Sequence, residues 1–449
     1  MSNEIQGVMT AIRGSQMLRL LLIGFLVLVL LIPAAMIGGL VSERRERREG
    51  AVDEVTAKWG RMQILTGPAL VIPYVQSREE LDNKGQKVVR SQTRHLIVLP
   101  ETLTVRGEIE SEVRHRGIFS VPVYRMKLEV TGRFVPPNLA DWNVQADEVR
   151  WERAEVGVGI TDARAIQERT DLSWNGRTIP FLPGTGAFDL TDTGIHAPLA
   201  GTASAAGFEF SFPLVLNGSV GVYFVPFGKE TVVSLKSNWP DPSFQGNWLP
   251  ASRSISDRGF EASWSIPFLG RNYPQAWISE DVKMAETVEA SKFDLDLVTP
   301  VDEYRMAERS TKYAGLFILL TFATIWLIEV LARLRVHPIQ YLLVGAAMCL
   351  FYLLELALSE HLGFTPAYAV AGVAVVALIA SYSFAALDSP RRAGIVGGLV
   401  AALYAYLYVL LKNEDYALLI GSVGLFLMLA AVMYLTRRID WHATGPQGR

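Results

Sequence analysis

A chain of 449 residues, half of them apolar, carries 42 basic against 45 acidic residues and a net charge of −3. That balance gives no electrostatic case for nucleic acid as a partner, and the length allows a membrane part with at least one folded domain beside it. A single cysteine, Cys349, excludes an intramolecular disulfide and a cysteine zinc site.

After a short N-terminus (1–17), expected to be cytoplasmic, residues 18–41 (LRLLLIGFLVLVLLIPAAMIGGLV) form an apolar run. It exceeds the roughly 7–15 residues of a signal-peptide core, so it reads as an uncleaved transmembrane anchor, with Pro33 a candidate kink. In the next stretch, SERRERREG, glutamates alternate with arginines as in a solvated helix, expected to extend the anchor to about Gly60.

Residues 42–312 are polar and read as a β-rich domain. Strand alternation is clearest in GFEASWSIPF, where Phe260, Ala262, Trp264, Ile266 and Phe268 share one face and Glu261, Ser263 and Ser265 the other. FEFSF (208–212), TVVSLKS (231–237) and VRWERAEVGVGI (149–160) read the same way, separated by breaks such as FLPGTG and NWPDPSFQGNW. Many short strands with turn signals predict a mostly antiparallel, sandwich-like β domain, in one or two lobes. DEYRMAERSTKYAG closes it as a helix.

Five apolar runs follow at about 314–332, 338–358, 364–387, 394–411 and 416–435, predicting a five-helix transmembrane bundle over 313–435 and a cytoplasmic tail over 436–449. Six crossings place both termini on one side. Arg333, Arg335, Arg391, Arg392, Arg437 and Arg438 then all fall on that side, whereas loop 359–363 has no Lys or Arg. The positive-inside bias makes that side cytoplasmic and the β domain extracytoplasmic, periplasmic in a bacterium with two membranes. The four arginines after the anchor run against the bias, but long domains cross largely regardless of charge.

No catalytic signature stands out. None of the six histidines lies three or four residues from another, and HExxH and GxSxG are absent. In VPFGKET a phosphate loop would need glycine where the chain has Tyr223. Accordingly no catalytic, cofactor-binding or metal-ligating residue is expected, and no cofactor. The candidates for a proton or ion path are Glu329, expected to pair with Arg333 one helical turn on, and the cluster Glu355, Ser359, Glu360 and His361. Glu355 is expected at the membrane interface and Glu360 and His361 in the loop, leaving this cluster as the candidate functional site. Gly345, Ala346 and Ala347 suit close helix packing, and Tyr404, Tyr406 and Tyr408 an aromatic belt or bundle contact.

RSTKYAGLFILLTFATIWLIE and HPIQYLLVGAAMCLFYLLELALSEHLGFTPAY closely resemble the signature of the bacterial CreD family. The likeness extends to GPALVIPY (67–74), RGIFSVPVY (116–124), NWPDPSFQGNWLP (238–250), RGFEASW (258–264) and TRRIDW (436–441), and so covers nearly the whole chain. Glu355 departs from it, standing where leucine is more usual. The resemblance implies an inner-membrane protein with one anchor, a large periplasmic domain and a helical bundle. It also implies a role in cell-envelope integrity, with links to colicin tolerance and to a two-component regulon affecting β-lactam susceptibility.

The reading these observations favour is a non-enzymatic envelope-maintenance protein. Its partners are the lipid bilayer and an unidentified periplasmic component or protein bound by the β domain. A transporter or channel using the polar cluster is the alternative, and a membrane-bound hydrolase ranks below it.

Overall fold

The computed structural model describes residues 16–81, 87–200, 207–279, 282–298, 303–332, 336–413 and 415–437. Arg333, Arg335, Arg438, His442, most of GTASAAG and most of the two termini therefore lie outside the described residues. The chain divides into two compact units, Met1–Arg48 with Val301–Arg449, and Glu49–Pro300.

Two sheets form the core of the second unit. In spatial order the larger runs β13 (Pro242–Gly246), β17 (Phe293–Leu297), β11 (Gly221–Phe224), β1 (Gln63–Leu81), β5 (Glu155–Ile160), β9 (Gly194–Pro198) and β8 (Leu182–Pro183). β2 (Lys87–Val98) also pairs with β1, and β16 (Ala276–Ile278) with β2. The other sheet runs β14 (Ser252–Ser256), β15 (Gly259–Pro267), β12 (Glu230–Ser237), β3 (Thr102–Arg116), β4 (Phe119–Phe134), β10 (Phe208–Ser219), β6 (Asp171–Trp174) and β7 (Arg177–Pro180).

One apolar core joins the two sheets. Val71, Val156 and Phe293 from the larger meet Leu128, Phe212 and Trp264 from the other. The sandwich expected from the alternating pattern is therefore present, held without disulfides by side chains whose burial contributes about 1.5–3 kcal/mol each.

Three details differ from the sequence reading. β1 pairs with β11, and β3 with β12, in parallel, because the chain makes a long excursion between those strands instead of a hairpin. Residues 149–160 are not one strand. Trp151–Arg153 form a turn of 3-10 helix that tucks Trp151 against the core, and only Glu155–Ile160 pair as a strand. In β15 the alternation holds through Ile266, while Phe268 lies in the following 3-10 turn and is exposed.

The helices are α1 (Gln16–Trp59), α2 (Val282–Ala290), α3 (Glu303–Lys312), α4 (Ala314–Leu331), α5 (Pro338–Leu362), α6 (Phe364–Leu387), α7 (Pro390–Lys412) and α8 (Ala417–Thr436). α1, α5, α6, α7 and α8 are each long and apolar enough to cross a membrane. The sixth predicted crossing is α4, joined to α3 through a 43° bend. α1 runs through Pro33 and on to Trp59, as the Glu/Arg alternation predicts.

Leu30 of α1, Phe322 of α4, Met348 and Phe351 of α5, Val375 of α6 and Leu407 of α7 share a second apolar core. Gly345 lets α1 approach α5, since a Cβ there would meet Leu30 Cδ1 at 2.1 Å. Tyr404 stacks on Phe351 with ring centroids 4.1 Å apart, as the bundle-contact expectation requires. α8 buries none of its span and meets α7 where the Tyr406 hydroxyl donates to the Ile420 carbonyl at 2.6 Å.

Candidate functional site

α3 is amphipathic at helical spacing. It buries Tyr304, Ala307 and Ser310 on one face and carries Glu303, Arg305, Glu308, Arg309 and Lys312 elsewhere. Its buried face lies on the C-terminal end of α5. There Ser310 Oγ donates to Glu355 Oε2 at 2.8 Å, and Tyr304 Oη donates to Glu360 Oε1 at 3.0 Å.

Arg44 of α1 reaches the same Glu360 oxygen at 3.7 Å, and Arg45 reaches Glu308 at 3.6 Å. Arg309 donates to the carbonyls of Leu410 and Leu411, capping the last turn of α7, where cations are favoured by the helix dipole. The result is a polar cap in which α1, α3, α5 and α7 are joined by charge-assisted contacts.

The four candidate residues separate within this cap. Glu355 is fully buried, with Oε1 lacking any hydrogen-bond partner among the described residues. α5 continues past the end of the apolar run to Leu362, and Ser310 of α3 covers the carboxyl. Glu360 and His361 accordingly belong to the last turn of α5 and not to a loop. Ser359 is buried, its hydroxyl donating to Leu356 O at 2.8 Å. His361 is exposed and makes no hydrogen bond among the described residues. The structure thus brings Glu355 and Glu360 to α3, and leaves Ser359 and His361 out of that contact.

The other end of α5 holds a pair that sequence reasoning missed. Glu329 is paired by Arg19 of α1 and accepts from Tyr341 Oη at 3.0 Å, while its expected partner Arg333 lies outside the described residues. An Arg followed 310 positions later by a Glu leaves no local signal. His337 caps the start of α5, its Nδ1 accepting from Ile339 N at 3.3 Å while Gln340 accepts from His337 N at 3.0 Å. His337 and His361 therefore stand at opposite ends of one helix, about 36 Å apart at about 1.5 Å per residue.

On the β domain, strand register builds a second polar feature that the motif search did not find. Across β14, β15, β12, β3 and β4, one row reads Ser252, Ser263, Ser234, Arg106, Glu129, and the next Ser254, Glu261, Lys236, Glu108, Lys127. These side chains, together with Arg253, line a trough of about 800 Å³. Arg106, Lys236, Arg253, Glu129 and Glu261 make no ion pair among the described residues. The signal was the alternation itself, since Arg106, Glu108 and Glu110 interleave with Val105, Gly107 and Ile109.

Nearby in sequence to the core residues of β17, Asp294 and Asp296 project from the opposite face, and Tyr223 Oη donates to Asp296 Oδ1 at 3.2 Å. Burial holds both carboxyls above the ordinary aspartate range, and the charge of Asp294 adds to the effect at Asp296.

The family model described as "Inner membrane protein CreD" matches residues 15–442. The chain belongs to the CreD family. The inner membrane protein CreD of Escherichia coli strain K12 is 34% identical to it over 418 residues, 93% of this chain and 92% of that protein. CreD membership thus spans both the β domain and the helical bundle, as the quoted sequence phrases imply.

Proposed function

We propose that this CreD-family protein maintains the cell envelope from the inner membrane, by binding and not by catalysis. In this reading the β domain stands in the periplasm and both termini in the cytoplasm, following the arginine distribution. The trough on the β14–β4 face holds a polar envelope polymer that carries both carboxylate and amino groups. Arg106, Lys236 and Arg253 face its carboxylates, Glu129 and Glu261 its amines, and the serine row its hydroxyl or amide groups. Tolerance of a colicin and of β-lactams within a two-component stress response would follow from that binding.

The observation that carries the reading is the trough itself, a face on which Arg106, Lys236, Arg253, Glu129 and Glu261 make no ion pair among the described residues. Ligand sites of comparable volume fall in the range of about 300–1,000 Å³. The polar cap at Glu360, where α1 and α3 converge, positions the two segments that enter and leave the β domain. The test is a titration of the detergent-solubilised full-length protein with soluble cell-wall fragments. Saturable binding that weakens with salt is expected, and no binding to any fragment carrying both charge types would refute the proposal.

A further inference from the structure

Glu355 is fully buried in an apolar bundle, and no lysine, arginine or histidine pairs with it among the described residues. One carboxyl oxygen takes the Ser310 hydroxyl and the other has no donor. The Tyr352 and Tyr404 hydroxyls are also buried without a partner among the described residues.

Three tyrosines from three helices lie within electrostatic reach of this carboxyl: Tyr352 on α5, Tyr368 on α6 and Tyr404 on α7. Tyr368 is committed, donating to Tyr404 O at 2.7 Å. Cys349 lies near Tyr352 and Tyr404, and Arg309 of α3 donates to the α7 carbonyls. The neighbouring acid, Glu360, is already satisfied by Tyr304 and Arg44.

An acid so fully buried without a counter-charge is costly, because an uncompensated buried charge forfeits several kcal/mol of solvation. The surrounding oxygens supply hydroxyls and no positive charge. We propose that Glu355 is the seat of an exchangeable compact monovalent cation, a proton or an alkali-metal ion, held with the oxygens of Ser310, Tyr352 and Tyr404. A single carboxylate supplies one negative charge, which one monovalent cation neutralises. Hard oxygen donors suit a proton or an alkali ion and disfavour soft metals.

The site is independent of what the β domain binds, and its test uses neither polymer nor activity. Full-length protein in liposomes is treated with dicyclohexylcarbodiimide, an apolar reagent that adds to membrane-buried carboxyls bearing a proton, and the Glu355 peptide is followed by mass spectrometry. Glu355→Gln, which keeps the shape and the Ser310 contact, serves as the unlabelled control, and its thermal unfolding is compared with wild type.

If the occupant is a proton, labelling falls about tenfold per unit of pH above its midpoint, as for a one-site titration, and sodium has no effect. If it is an alkali ion, sodium or potassium at fixed pH suppresses labelling in a saturable way. Either outcome supports the site. Labelling that responds to neither pH nor salt, or no labelling together with a pH-difference infrared spectrum lacking any carboxyl band that Glu355→Gln removes, would overturn it.

Discussion

The helical bundle and the β domain handle charge in opposite ways. In the bundle the inward ionisable groups are few and tied across helices, Glu329 to Arg19 and Tyr341, and Glu360 to Arg44 and Tyr304. In the β domain charge is spread over a sheet face in cross-strand rows, where several side chains make no ion pair among the described residues. Lipid cannot solvate a polar group, so these groups are tied across helices, and Glu355, with one oxygen left without a donor among the described residues, stands apart from them. Water satisfies the sheet face, and its charges remain available for binding. Substitutions should therefore act on stability in the bundle and on recognition at the sheet face, with the shared exception of the two apolar cores.

That exception carries the largest expected effect. Trp264 is buried against Phe244 and Phe293, and Trp264→Ala should destabilise the β domain by about 3–5 kcal/mol. Chemical denaturation followed by tryptophan fluorescence reads it, and a loss under about 1 kcal/mol would mean that the two sheets do not share that core.

Arg19→Ala comes next, since it strands Glu329 in the bundle and should cost about 3 kcal/mol in thermal unfolding of the detergent-solubilised protein. Arg391→Ala, at an exposed site, should change it by less than about 0.5 kcal/mol. Equal effects would erase the contrast between interior and surface charge. Gly345→Val follows at about 1–3 kcal/mol, because its side chain meets Leu30 and Phe322.

Smaller still is a pH effect confined to the β domain. Asp294 and Asp296 bind protons more readily folded than unfolded, so their contribution to stability falls as pH rises from the ordinary aspartate value through the folded ones. Asp294→Asn should raise the unfolding temperature at neutral pH. That gain should vanish in acid below about pH 3.9, where the aspartate is neutral in both states. A variant less stable than wild type at neutral pH would contradict the assignment.

Much of this arrangement was legible before any coordinates. The six apolar runs became α1 and α4–α8, because length and hydropathy report directly on the bilayer. Strands such as Gly259–Pro267 followed their period-two pattern, since one of their faces is buried.

What escaped was whatever depends on distant partners. Glu355 looks interfacial in a local window, and its burial comes from Ser310, 45 residues earlier on a helix whose composition is polar. Trp151–Arg153 mimic strand alternation because the tryptophan turns inward through a 3-10 turn. The trough needed the register of five strands, two of them paired in parallel, and no single strand displays it.

The most direct test of the account is binding of cell-wall fragments by full-length protein carrying Arg106→Glu and Lys236→Glu together, with its unfolding temperature measured alongside. The account predicts at least about a tenfold loss of affinity, roughly 1.4 kcal/mol, at an unfolding temperature within a few degrees of wild type. Unchanged affinity in a protein that remains folded would contradict it.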